Sequence, residues 1–135
     1  MQSGRYKLVR QTGGRGFYAD VTIEAKQETD GPLLEISASA FAWLKDVYGP
    51  DAWEWPVCDE YRKSAIRGVR YALAHSVPVV DPSRLAITVA VIHASPADTC
   101  PDSVALAACF ATWNALGIRG SQEPRIVGGK IVFTA

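Results

Sequence analysis

Residues 101–116 constrain this chain more than any other stretch. Ala105, Leu106, Ala107, Ala108, Cys109, Phe110 and Ala111 follow one another without a polar break. A helix built from them is apolar on nearly every side, so it must be deeply packed, and its small residues let it lie close against a sheet. Pro101 suits the first helical turn, Asp102 lies where the helix dipole favours an anion, and Gly117 supplies the stop. With 135 residues the chain has material for one core and not two. The remaining sequence must therefore enclose this helix in a single domain, 1–135.

The rest of the chain supplies strands and one further helix. Phe17, Ala19, Val21, Ile23 and Ala25 alternate with Tyr18, Asp20, Thr22 and Glu24, the pattern of a half-buried strand. Tyr6 to Arg10 alternates more weakly before it, and Gly13, Gly14 and Gly16 break the chain between the two, predicting a hairpin or wide loop. Leu33 to Ala38 is a third candidate strand. Asp59 to Ala74 has the helical period, with Ala65, Ile66, Val69, Ala72 and Leu73 on one face and Lys63, Arg67 and Arg70 on the other. Arg62 falls at the edge of the apolar face, where its stem can pack and its head reach water. Leu85 to Ala94 is β-branched and reads as a buried strand. Arg125 to Thr134 reads as a last strand, with Gly128-Gly129 as a turn or bulge. The order β, β, β, α, β, α, β predicts an α+β two-layer sandwich, with about four strands and two helices on one sheet face.

Composition narrows the function. Fourteen Lys and Arg balance fourteen Asp and Glu, which argues against a polybasic nucleic-acid binder held by bulk charge. The balance is segregated: residues 1–26 carry five basic groups against two acidic, 27–60 one against eight, and 61–75 four against none. No apolar run is long enough to span a membrane, and the N-terminus lacks the apolar stretch of a signal peptide. Cys58, Cys100 and Cys109 are too few for a disulfide framework or a zinc site, so reduced thiols and a cytoplasmic location are expected. Nothing matches the phosphate-binding G-x-x-x-x-G-K-[ST] pattern, so no nucleotide is expected, nor is any metal or cofactor. His93, Ser95 and Asp98 lie within six residues, but no nucleophile-elbow motif accompanies them; His75 reads as a helix cap. The expectation is a protein that is not an enzyme.

Residues 41–57 concentrate Phe41, Trp43, Tyr48, Trp53 and Trp55 around Gly49-Pro50. Two readings stand: a satellite core under a long connection, or an exposed aromatic surface for a protein partner, with Trp53 and Trp55 in contact.

The run Lys7-Leu8-Val9-Arg10-Gln11-Thr12-Gly13-Gly14-Arg15-Gly16-Phe17-Tyr18-Ala19-Asp20-Val21 resembles the opening of domain IV of bacterial elongation factor G, which reads R-Q-[TS]-G-G-R-G-x-Y-G-x-V after a basic and apolar lead. Arg67-Gly68-Val69 is similar to that family's K-G-I helix segment, and Pro78-Val79-Val80-Asp81 to its P-V-V-D. The resemblance covers most of 6–116 and fades over 39–57 and after 117. It implies a left-handed βαβ crossover, and a finger whose two tip loops contact the ribosome or ribosomal RNA. The first loop corresponds to Gln11, Thr12, Gly13, Gly14, Arg15 and Gly16. Its glycines allow close approach to phosphate, and Arg15 offers a planar fork to phosphate or guanine; the glycines alone would equally serve a turn. The second loop corresponds to His93, Ser95 and Asp98. There Ser95 stands at the family's tip His, and Pro101 replaces an acidic end. Lys63, Arg67 and Arg70 would form a secondary basic face. The family's GTPase domain has no counterpart, so the chain reads as a free-standing domain that could not drive translocation alone.

Overall fold

The computed structural model describes residues 2–12, 15–27, 33–49, 51–95 and 98–133, without the side chains of Thr12, Arg15 and Trp53. Strands β1 (Gln2–Thr12) and β2 (Arg15–Gln27) form a long antiparallel hairpin. Next come β3 (Leu33–Ile36), the short helix α1 (Ala42–Tyr48) and a 3-10 turn at Ala52–Glu54. Helix α2 (Pro56–Ala74), β4 (Ser76–Val77), β5 (Leu85–His93) and α3 (Pro101–Leu116) follow, then β6 (Arg119–Gly120), β7 (Arg125–Val127) and β8 (Lys130–Val132).

The main sheet has the order β1-β2-β5-β3. Its first two pairings are antiparallel; β3 runs parallel to β5, and α1 and α2 make the crossover between them. The fold is an α+β two-layer sandwich with a four-stranded sheet. One face of β2, from Ala19 through Val21 and Ile23 to Ala25, packs with Val69 of α2 and Val104, Ala107 and Ala111 of α3 in a single core. The other face carries Arg5, Lys7, Tyr18 and His93.

Helix α3 is enclosed on all sides: every residue from Ser103 to Ala111 is buried except half-buried Phe110. Two glycines make the enclosure possible. A Cβ on Gly4 of β1 would lie 2.2 Å from the Ala115 backbone nitrogen, and one on Gly68 of α2 would lie 2.1 Å from the Ala105 carbonyl oxygen. Backbone touches backbone on both flanks of α3, which no larger residue permits.

Several boundaries depart from the sequence expectations. β1 and β2 pair from Gln2↔Ala25 to Thr12↔Arg15, so Gln11, Thr12, Arg15 and Gly16 are strand residues, not loop. Glycine does not prevent pairing when a long hairpin supplies the ladder. Helix α2 starts three residues early because Pro56 fits its first turn. Segment 41–57 is not a satellite: Phe41, Leu44 and Ala52 belong to the main core. The chain keeps following β5 beyond β3, with Ser37 N–H donating to Val89 O (2.9 Å) and Ile92 N–H to Ala40 O (3.0 Å). The final segment does not join the main sheet. Gly128 and Gly129, at φ +57° and +77°, turn it into its own β7–β8 hairpin.

Candidate functional site

One end of the sheet gathers most of the sequence-derived candidates. Gln11 pairs with Gly16 near the end of the hairpin, and Gly16 approaches the loop that follows β5. A Cβ on Gly16 would lie 2.6 Å from Asp98 Oδ1, so the missing side chain makes room for that carboxylate. The loop is stitched to the backbone of β2. Tyr18 N–H donates to Asp98 O (2.9 Å), and Thr99 Oγ1 donates to Tyr18 O (2.7 Å) while accepting from Ser95 N–H (2.8 Å). Asp98 N–H in turn donates to Ser95 O at 3.0 Å. Gln11, Gly16, Ser95 and Asp98 are thus held at one tip by a rigid frame. The backbones of Thr12 and Arg15 pair there too; Gly13, Gly14 and the side chains of Thr12 and Arg15 lie outside the described residues.

His93 sits at the end of β5, opposite Asp20. Its Nδ1 is 3.0 Å from the Tyr18 hydroxyl, and its ring lies 4.4 Å from that of Trp43. Trp43 is held in turn by its indole N–H donating to Ile92 O (2.6 Å). Among the described residues His93 makes no hydrogen bond to Ser95 or Asp98.

Asp20 was not singled out by sequence. It lies on the polar side of the β2 alternation, yet only 7% of it is exposed. Arg5 covers it in a two-pronged contact, Nε to Oδ1 at 2.8 Å and Nη2 to Oδ2 at 2.5 Å. The hydrogen bonds from Arg5 hold the Asp20 carboxyl below the usual carboxylate range, against the upward pull of burial; Arg5 rises correspondingly. Burial, and then the Asp20 charge, push the Tyr18 phenol up. Finding this cluster from sequence needs the β1–β2 register, which alternation alone does not supply.

The basic residues of α2 divide. Lys63 pairs with Asp59 one turn earlier (3.2 Å), and Arg67 pairs with Asp102 at the start of α3 (2.6 Å). Arg70 lines a groove with Leu33, Leu73, Pro82 and Leu85, at the end of the sheet away from His93. All three are exposed, but they do not form one patch with the tip.

Beside the tip lies a second feature. Phe41, Trp43, Leu44, Tyr48, Trp55, Val57, Cys58, Tyr61 and Ala94 line a cavity of about 280 Å³. Tyr48 and Trp55 stand at its exposed side, their ring centroids 5.4 Å apart and their planes inclined at 51°. The Trp53 side chain lies outside the described residues. Cys58 is buried, and burial pushes its thiol up, so it lines the cavity as a small apolar group. Among the described residues no cluster of His, Cys, Asp and Glu is arranged to hold a metal, and no helix is long and apolar enough to cross a membrane.

A scan of the chain against models of known protein families finds no match, and a search of curated proteins finds none. Among solved structures, the crystal structure of a protein from Thermus thermophilus is similar, with a TM-score of 0.59 and 20% identity over 82% of this chain. The match covers 15% of that protein, so this chain corresponds to a small part of its length. At that identity the likeness is one of fold.

Proposed function

We propose that this chain is a translation-related module that contacts the ribosome or ribosomal RNA with its tip, similar to domain IV of elongation factor G, and has no GTPase activity of its own. The observation that carries the reading is the approach of Asp98 to Gly16. It brings Gly16 and Asp98, one from each of the two segments singled out by the resemblance, side by side at one end of the sheet. A hairpin that carries Arg10 and Arg15 near its end, with Lys7 further back, suits a phosphate backbone. The paired state of Lys63 and Arg67 makes the α2 face an auxiliary contact. The protein acts as a binding module in the cytoplasm, not as an enzyme.

Co-sedimentation with small ribosomal subunits tests this. With about three phosphates neutralised, affinity falls by roughly 20-fold between 50 and 200 mM salt. Arg15→Ala weakens binding and flattens that salt dependence. Equal binding of wild type and Arg15→Ala would sink the tip assignment.

The cavity under Tyr48 and Trp55 favours a second reading, a protein-interaction module working through segment 41–57. Loss of a captured protein in Trp55→Ala, with ribosome binding absent in the wild type, would select it.

A further inference from the structure

The cavity beside α1 has a chemistry that the tip does not use. Its accessible wall is aromatic: Trp43 is half-buried, while Tyr48 and Trp55 are 54% and 42% exposed. The rings of Tyr48 and Trp55 lean against each other at the rim, and both remain partly exposed there. The surrounding charge is acidic in excess: residues 45–63 hold five carboxylates against Lys45, Arg62 and Lys63, and Lys63 pairs with Asp59. Residues 46–60, which supply Tyr48, Trp55, Val57 and Cys58 to the lining, contain Asp46, Asp51, Glu54, Asp59 and Glu60 and no Lys or Arg. Glu54 directly precedes Trp55, Glu60 directly precedes Tyr61, and both carboxylates are exposed. The molecule already makes the matching contact once. The Arg62 guanidinium lies 5.0 Å from the centroid of the Phe41 ring, which forms part of the same lining.

We propose that this cavity receives the side chain of an Arg or Lys presented by a basic segment of a partner protein. The inference rests on the protein-interaction reading and sharpens it to a ligand chemistry. Aromatic faces attract a cation through their quadrupole, and the apolar stem of Arg or Lys packs against Leu44 and Val57 while its head stays near the carboxylates. An anionic or phosphorylated guest is disfavoured by the acidic residues that outnumber the basic ones around the lining. A neutral apolar guest gains nothing from them. The size also points to a single side chain. At about 280 Å³ the space falls just short of the range that encloses a drug-sized molecule.

The test uses two twelve-residue peptides alternating Arg with Gly and Ser, identical except that citrulline replaces Arg in the second. Binding to the full chain is read from Trp fluorescence and from the indole N–H signals of isotopically labelled protein. The Arg peptide is expected to bind about tenfold more tightly than the citrulline peptide. Trp55→Ala and Tyr48→Ala should each weaken it about fivefold, while Tyr48→Phe retains it. Both positions are exposed enough that melting curves of the variants should overlay the wild type, separating lost binding from lost folding. Equal binding of the two peptides overturns the cation proposal and leaves the protein-interaction reading standing. Arg-peptide binding untouched by Trp55→Ala and Tyr48→Ala also overturns it, because attraction is then to surface charge outside the cavity. A dimer that Trp55→Ala dissociates, and that binds neither peptide, assigns the cavity to a second copy and overturns it as well.

Discussion

Asp20 and Arg5 illustrate how a polar strand face can contribute to stability. Asp20 is nearly covered, but Arg5 keeps much of its own side chain in water, so the pair escapes the full desolvation cost of a buried ion pair. Asp20→Asn keeps the shape and loses the charge-assisted contacts; thermal or urea unfolding should show a loss of about 1–2 kcal/mol at neutral pH. Because the folded-state pKa of Asp20 is depressed, its contribution is present above the unfolded carboxylate pKa and is lost as pH falls through the lower folded value. Stability of the wild type should therefore fall on acidification below about pH 4, and that acid limb should be shallower in Asp20→Asn. Gly16 makes a different point. In Gly16→Ala the new methyl meets the free end of the Asp98 side chain, which can rotate, while the bonds from Tyr18 N–H to Asp98 O and from Thr99 Oγ1 to Tyr18 O remain. The expected cost is about 1 kcal/mol or less, with chemical-shift changes concentrated at residues 15–18 and 95–99. Neither contact was legible beforehand: Gly16 reads as a loop glycine until Asp98 is brought beside it, and Arg5 lies fifteen positions from Asp20.

At the level of elements, legibility followed length and periodicity. α3 declared itself through an unbroken apolar run, and β2 through nine alternating residues, because those patterns suit few environments. α1 did not: it has seven residues, its cap Phe41 makes no side-chain hydrogen bond, and its Trp and Tyr are poor helix signals. It is fixed by docking Phe41 and Leu44 into the core, a tertiary effect. The C-terminal strand was readable as extended but not as detached, since alternation does not name a partner strand. The glycines give the sharpest test of the packing. Gly68→Ala drives a methyl against the Ala105 carbonyl of α3 and should cost about 3 kcal/mol in denaturant unfolding. Gly128→Ala meets open space and only a positive φ, so it should cost about 1 kcal/mol. Similar costs at both positions would mean that α2 and α3 can separate without loss.

At the scale of the molecule, the balanced charge resolves into separate regions. Lys7, Arg10 and Arg15 belong to the hairpin, two α2 cations are tied to carboxylates, and 46–60 is uniformly acidic. The proposed contact with ribosomal RNA should accordingly be weakened more by Arg15→Ala than by Lys63→Ala, as measured by salt-titrated co-sedimentation. The order of construction has its own consequence. The last long element, α3, is the cover for the first two strands, and Gly4 near the start of the chain touches Ala111 and Ala115 near its close. A nascent chain emerging from the ribosome therefore carries an uncovered apolar sheet until residue 116 has been made. Expressed only to Cys100, it should bind hydrophobic dyes and pellet, whereas the full chain stays dispersed. The apolar face of the first two strands is thus the last surface of the domain to gain its cover as the chain is made.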